Sequence, residues 1–385
     1  MTTLQPIDKV FHSRWAQLKG RLAGQDVDGL VLTGGSDMEY LTGYAAMPLE
    51  RITALVISNE MLTDDEAAKK PILLVPELEL ARVEHRPTVF DIAGWADNED
   101  PISRVAEALA QSSTIAVSDD MWADHALRLQ VLLSRSGSET GGLRSIGSEL
   151  GGLRSIKSPA ERLAMQKVGA MADEVAGQLQ RGEIPLQGRT ESQVAADIGD
   201  RLIAAGHETV EFVIVASGPN SASPHHHPGD RVIQPNEMVL CDFGGKHGGY
   251  CSDTTRCVFT GLIPPDVAAA YEVLKQAQAT GVEAAHTGER LADVDRLTRG
   301  VLTDAGYGEY FVHRTGHGIG FQVHEEPYVT DRAEILVEAG HVFSVEPGIY
   351  IEGSWGMRLE DIVVVDDDGP IRCNNSDHDL ISVTA

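Results

Sequence analysis

Short, continuous apolar runs recur through the first third of the chain with amphipathic stretches between them. Residues 28–34 (DGLVLTG), 52–57 (ITALVI), 72–75 (ILLV) and 114–118 (TIAVS) have the length and β-branched content of buried strands. Stretches near 12–24, 76–84 and 101–111 carry apolar residues at helical spacing. Alternation of the two kinds predicts a small α/β domain.

A ten-residue echo follows, GGLRSIGSEL at 141–150 and GGLRSIKSPA at 151–160. It is too short for a solenoid repeat, and its glycine and serine content reads as a linker or a local duplication. The domain boundary is therefore placed near 150, with an N-terminal α/β domain over 1–150 and a second domain over 151–385.

Beyond the boundary the helix signals sharpen. Ser158-Pro159-Ala160-Glu161 offers an N-cap serine, a proline at the first helical position and a capping-box glutamate. Leu163, Val168, Met171, Val175 and Leu179 then mark one face, and Gly182 a stop. Thr190 with Gln193 opens a second helix that ends near Gly206. Strands are expected at 210–216, 237–243 and 250–259. After Pro264-Pro265 the order repeats: helices over 266–285 and 289–305, the latter ending at Gly306, then strands near 310, 342–351 and 358–366. A pattern of helix, helix, strands that occurs twice predicts a pseudo-two-fold α+β domain, with helices on one side of a mainly antiparallel sheet.

Composition narrows the class. The chain has 385 residues, 42% of them hydrophobic, which suits two or three globular domains rather than a disordered, fibrous or membrane-embedded chain. Its 31 basic and 58 acidic side chains give a formal charge of −27. A surface this acidic repels phosphate backbones and anionic membranes, so neither nucleic acid nor membrane is expected as a partner. Runs such as Asp64, Asp65, Glu66 and Asp366, Asp367, Asp368 read as solvated turns. Four cysteines without CxxC spacing (Cys241, Cys251, Cys257 and Cys373) read as small buried hydrophobes in a reducing compartment. No uninterrupted apolar stretch resembles a secretory signal, and a cytoplasmic location is expected.

Four carboxylates carry the candidate chemistry. Asp242 and Asp253 sit symmetrically in a hairpin around Gly244-Gly245-Lys246-His247-Gly248-Gly249, so the simplest register sets them opposite one another. Glu346 and Glu360 are likewise symmetric about Gly353. Each acid taken alone reads as a solvated residue near a turn, or as the partner of Arg358. Two matched pairs converging across a pseudo-two-fold cannot all stay ionised without a cation between them. Between the hairpins, the segment 313–327 (HRTGHGIGFQVHEEP) has too many glycines for a helix and reads as extended chain approaching something closely. Three histidines beside four acids favour one imidazole ligand, the others serving substrate or proton transfer. One nitrogen among hard oxygens suits Mn, Co, Fe or Zn better than Ca or Mg. On composition alone, the cluster His225-His226-His227 reads as adventitious surface metal binding.

These motifs resemble those of the pita-bread metallopeptidases: prolidase (Xaa-Pro dipeptidase), aminopeptidase P and methionine aminopeptidase. DMEYLTGY at 37–44 is similar to the N-terminal domain of prolidases, and LRSIKSPAE to the segment that opens their catalytic domain. The fold implied is a pita-bread catalytic domain preceded by a smaller creatinase-type α/β domain. By resemblance, Asp242 would bind one of two divalent metals, Asp253 and Glu360 would bridge both, and His317 and Glu346 would complete the second. The resemblance further implies a hydroxide held between the metals as nucleophile, Glu346 as proton shuttle, and His225 and His324 steadying the scissile carbonyl oxygen and the substrate termini. Arg358 would support the acid cluster from behind. Manganese is the first expectation for the metal, with cobalt, zinc or iron as alternatives, and a homodimer is the assembly the family implies.

HGIGFQVHEEP resembles the shorter bacterial prolidase-like version of the motif, so cleavage of Xaa-Pro dipeptides is the leading expectation. Aminopeptidase P-like action on longer Xaa-Pro peptides is its nearest neighbour. Hydrolysis of a small amide metabolite such as ectoine is a different activity on the same fold, and a non-catalytic binding module is the weakest reading, because such relatives lose ligands that are all present here.

Overall fold

A computed structural model describes residues 6–63, 69–135 and 142–383, and the acidic run 64–66 lies outside them. The chain divides into two compact units, Met1–Leu153 and Arg154–Ala385. Among the described residues no helix is long and apolar enough to cross a membrane.

The first unit is built on six strands: β1 Gly29–Thr33, β2 Ala54–Ser58, β3 Ile72–Pro76, β4 Asp91–Trp95, β5 Ile115–Val117 and β6 Leu143–Ser145. Their order is β4-β3-β2-β1-β5-β6, antiparallel from β1 through β2 to β3 and parallel elsewhere. Helices α1 Pro6–Leu22, α2 Ser36–Thr42, α3 Asn59–Thr63, α4 Pro101–Ala108 and α5 Ala123–Arg135 connect them. Val31, Val56 and Leu74 from the sheet pack with Ile102, Val105, Leu129 and Leu133 of α4 and α5. The helix expected over 76–84 is instead a 3₁₀ turn, Glu77–Arg82, in which no residue is buried, so no apolar face holds a longer helix down.

The echo is not a linker. Leu143-Arg144-Ser145 forms the edge strand β6 against β5. The second copy, Leu153-Arg154-Ser155, ends helix α6 Gly147–Ser155, in which Leu150 and Leu153 are buried. One tripeptide takes two conformations because its surroundings differ, a sheet edge in one case and the buried end of a helix in the other.

The second unit begins with α7 Pro159–Gln180 and α8 Glu191–Ala204, each opened by a capping box with both reciprocal hydrogen bonds made, at Ser158/Glu161 and Thr190/Gln193. Strands β7 Thr209–Ser217, β8 Met238–His247, β9 Tyr250–Cys251 and β10 Thr254–Phe259 follow. Then come α9 Pro265–Glu283, α10 Leu291–Asp304, β11 Gly316–Gly318, β12 Glu325–Val329, β13 Val342–Val345, β14 Gly348–Ile351, β15 Trp355–Arg358, β16 Asp361–Asp366, β17 Gly369–Arg372 and β18 Ile381–Ser382. Two helices followed by strands occur twice.

Two details depart from expectation. Leu163 is 66% exposed while Val168, Val175 and Leu179 are sealed; five positions at the helical step set Leu163 about 140° from Val168, off the buried stripe. Chain near 310 is a 3₁₀ turn, Gly308–Tyr310, and the strand starts later, at Gly316.

Helices do not lie on one side only. Val239, Cys241 and Phe243 of β8 pack with Val175, Leu179, Ile198 and Leu202 of α7 and α8. The alternate residues Met238 and Leu240 pack with Leu274 of α9 and Ile349 and Met357 of the second hairpin. Because β8 is covered on both faces, its run is apolar without interruption until Asp242. Asp242 shares the face of Met238 and Leu240, and so points toward the second hairpin.

Candidate metal centre

The first hairpin turns at Gly248-Gly249, both at positive φ (59° and 87°), and pairs Lys246 with Cys251 and His247 with Tyr250. With the turn there, Asp242 faces Thr255, not Asp253. The register expected from symmetry is therefore displaced by two residues, since the glycine-rich run admits more than one turn position. A two-residue shift preserves the face, and both aspartates still line one cavity. In the second hairpin Val345 pairs with Asp361 and Gly348 with Arg358, which sets Glu346 across from Glu360 as expected.

The glycines of 316–320 serve close approach. Strand β11 is the middle strand between β12 and β13, and a Cβ on Gly316 would stand 1.8 Å from the Ser344 carbonyl oxygen. This contact seats His317, whose backbone N–H donates to Ser344 Oγ at 2.9 Å, while that hydroxyl donates to Glu346 Oε1 at 3.0 Å.

One ligand atom each from Asp253, His317 and Glu360 lies within 4.8 Å of the others, and all three residues are buried. His317 Nε2 is 3.3 Å from Glu346 Oε1 and 3.7 Å from Asp253 Oδ2. Its Nδ1 faces the Gly318 carbonyl at 3.1 Å, so Nδ1 carries the proton and Nε2 turns a lone pair toward the acids. Burial, then the neighbouring His324, holds the His317 imidazole down at about 3, which keeps it neutral.

Burial and mutual repulsion raise the acids. Asp253 is pushed well above the usual carboxylate range by burial and then by Glu360, Asp242 and Glu346, and Glu360 by burial and then by Glu346 and Asp242. Burial lifts Glu346 to about 7, with Arg358 opposing and Asp242 adding to the rise. Asp242 Oδ1, Asp253 Oδ1 and Glu360 Oε1 are buried without a hydrogen-bond partner among the described residues. The orphaned oxygens of Asp253 and Glu360, grouped with His317, fit a bound divalent cation, and that of Asp242 belongs to the same cavity.

Arg358 backs the cluster through Asp242, not through Glu360. Its Nη2 donates to Asp242 Oδ2 at 2.5 Å, its Nε to Thr255 Oγ1 at 3.0 Å and its Nη1 to the Tyr350 hydroxyl at 2.8 Å. Thr255 in turn donates to Glu360 Oε2 at 2.7 Å. The Tyr350 hydroxyl lies 2.9 Å from His313 Nε2, and burial, followed by Arg358, holds His313 down at about 3.

His225 and His324 line the same cavity of about 560 Å³ as the five candidate ligands and Arg358. The His317 and His324 rings stand 4.1 Å apart. Within the histidine cluster at 225–227, His226 is tied into the structure while His225 and His227 are exposed. Fully buried Glu191 takes His226 Nε2 at 2.8 Å, the backbone and hydroxyl of Ser217 at 2.8 Å each, and Asn220 Nδ2 at 3.1 Å. Sequence reasoning missed Glu191, Thr255, Tyr350 and Ser344. Only Thr255 left a trace, as the residue opposite Asp242 once the turn is placed at Gly248-Gly249.

Comparison with known proteins agrees with this geometry. Residues 162–367 match the model of metallopeptidase family M24, and residues 14–154 that of the creatinase/prolidase N-terminal domain. A probable dipeptidase PepE of Mycobacterium tuberculosis is 41% identical over 381 residues, covering 97% of both chains. A Xaa-Pro dipeptidase of Lactobacillus helveticus is 36% identical, covering 89% of this chain and 91% of its own. The crystal structure of a prolidase from Thermococcus sibiricus superposes with a TM-score of 0.87 at 32% identity, covering both chains completely.

Proposed function

The chain belongs to metallopeptidase family M24, and from that premise we propose that it is a Xaa-Pro dipeptidase, hydrolysing the bond before proline at the centre formed by Asp242, Asp253, His317, Glu346 and Glu360. The observation that carries the reading is the set of orphaned oxygens on Asp242, Asp253 and Glu360 in one cavity with His317, which groups with Asp253 and Glu360 within 4.8 Å. Relatives and structural neighbours named as dipeptidases and prolidases support the substrate class.

Four carboxylates and one imidazole would hold two divalent ions, manganese first and cobalt, zinc or iron as alternatives. Bound there, the metal supplies acidity to a water molecule and positive charge against the developing oxyanion. The protein's own groups do the rest. Glu346 accepts the proton that water gives up and returns it to the departing proline nitrogen, so its carboxyl ends the cycle as it began. His225 and His324 hold the scissile carbonyl oxygen and the substrate termini by N–H donation. Arg358 acts through Asp242, fixing one carboxylate oxygen so that the other faces the centre.

Protein stripped of metal and reloaded with manganese or cobalt should hydrolyse Leu-Pro, and should cleave a dipeptide far faster than Xaa-Pro-Xaa tripeptides. Full activity in the stripped protein would overturn the metal mechanism, and a preference for tripeptides would favour aminopeptidase action. A homodimer located in the cytoplasm completes the reading; light scattering that returns the mass of one chain would refute the dimer.

A further inference from the structure

One acidic group in the cleft is not used by the metal centre. In β7 the register passes from Val210 opposite Gly245 to Phe212 opposite Gly244, so Glu211 is the extra residue of a bulge and has no partner on β8. A bulge re-aims the side chain it carries, and here Glu211 lines the cavity shared by Asp242, His225 and His324. Unlike buried Asp242 it is exposed, at the rim. Its hydrogen-bond partner is the Thr209 hydroxyl, 2.8 Å from Oε1, and no cationic side chain pairs with it among the described residues.

The wall beside it is apolar, formed by Phe212, Val213, Ile214 and Val323. Arg358, the cation of this lining, is committed to Asp242. Glu211 is the carboxylate of this lining that offers no ligand to the centre, and it stands exposed at the rim while Arg358 is held inward at Asp242. Resting on the dipeptidase reading above, we propose that Glu211 selects the residue preceding the scissile bond, favouring Xaa-Pro dipeptides in which Xaa is a long cation, lysine or arginine.

The shape of such a side chain matches the wall. Its methylene stem covers Ile214 and Val323 while its charged end reaches water and Glu211 at the rim. The substrate's α-ammonium is not the group Glu211 meets. That nitrogen is two bonds from the scissile carbonyl carbon and must sit among the buried acids, whereas a lysine ammonium stands four methylenes farther out.

The test compares kcat/KM for Lys-Pro, norleucyl-Pro and Glu-Pro in metal-loaded protein and in Glu211→Gln. Lys-Pro and norleucyl-Pro differ in charge but hardly in apolar bulk, and a rim ion pair partly shielded by bound substrate is worth a ratio of about three- to tenfold. The wild type should prefer Lys-Pro by that factor and treat Glu-Pro worst, with the preference eroding as salt is added. Glu211→Gln should bring the Lys-Pro to norleucyl-Pro ratio to about one, and Glu211→Lys should invert the order of Lys-Pro and Glu-Pro. An unchanged ratio in Glu211→Gln, or equal cleavage of all three dipeptides by the wild type, overturns the selectivity alone. Cleavage of none of them overturns the dipeptidase reading, and this one with it.

Discussion

Lys157 Nζ and Glu325 Oε1, 168 residues apart in the chain, form an ion pair at 2.8 Å with both side chains all but sealed from water. Arg154 Nη1 holds the other oxygen of Glu325 at 2.6 Å. Glu325 follows His324 directly, so the chain entering the second unit pins the segment that carries a candidate catalytic imidazole. Removing one partner of a buried pair leaves the other charge uncompensated, at a cost of about 3–5 kcal/mol. Lys157→Met should fall below that range, because Arg154 still serves Glu325. Glu325→Gln should reach it, since two buried cations then lose their acid. Urea unfolding of both variants checks the order, and kcat for Xaa-Pro hydrolysis should fall more than KM rises if the displaced group is His324.

Metal should stabilise the fold at the cluster whose repulsion it relieves. Asp253 and Glu360 are forced upward by burial and by neighbouring carboxylates of the cluster, so a cation that binds only the folded chain adds RT ln(1 + [L]/Kd), about 2.7 kcal/mol at a hundredfold excess over Kd. Calorimetry should show Tm rising as manganese is added to metal-free wild-type protein. Asp253→Asn should retain or raise the metal-free Tm, because one repelling charge is gone. It should nevertheless bind less metal by elemental analysis and lose hydrolysis altogether. A metal-free Asp253→Asn protein markedly less stable than wild type would show that Asp253 serves the fold rather than the metal.

Gly316 offers a sharper structural test. A Cβ there would fall 1.8 Å from the Ser344 carbonyl oxygen, backbone that cannot turn aside. Gly316→Ala should therefore push β11 off β13 and break the contact of His317 N–H with Ser344 Oγ, with a cost above the usual 0.5–1 kcal/mol of a glycine change. Gly300→Ala, with open space around its Cβ and a place inside helix α10, should instead stabilise slightly. Thermal melts of the two variants should move in opposite directions.

The legibility of these features follows their range along the chain. Helix starts at Ser158 and Thr190 could be read because a capping box is complete within four residues. The four candidate carboxylates could be read because each pair sits in its own hairpin, where symmetry about a turn is a local signal, whereas the choice of His317 among three histidines came from the family resemblance. Glu191 and Thr255 could not, since their contacts with His226 and Glu360 span 35 and 105 positions and carry no periodicity. The turn at Gly248-Gly249 was hidden by the number of glycines able to make it. Leu-Arg-Ser, strand at 143–145 and helix at 153–155, marks the limit of any local reading: the partners outside the tripeptide decide.

His341 supplies an acid-sensitive element outside the metal cluster. It is 3% exposed, and its Nδ1 accepts the backbone N–H of Glu338 at 2.9 Å, which requires the neutral ring. Burial, with nearby Lys157 adding to it, holds the imidazole down at about 4 from an ordinary 6.5. The folded chain thus binds this proton less readily than the unfolded one. The stability from this group is whole above pH 6.5, falls as the pH drops through the interval, and is lost near pH 4. By linkage the loss approaches about 3 kcal/mol. His341→Gln has no proton to gain, so it should be less stable than wild type at pH 7.5 but lose less on acidification. The carboxylate cluster titrates in both proteins, and comparison of the two in metal-free form cancels it. Urea unfolding at pH 7.5 and pH 4.5 should show the gap between variant and wild type narrowing by about 2 kcal/mol; a constant gap would mean that His341 does not change protonation on unfolding.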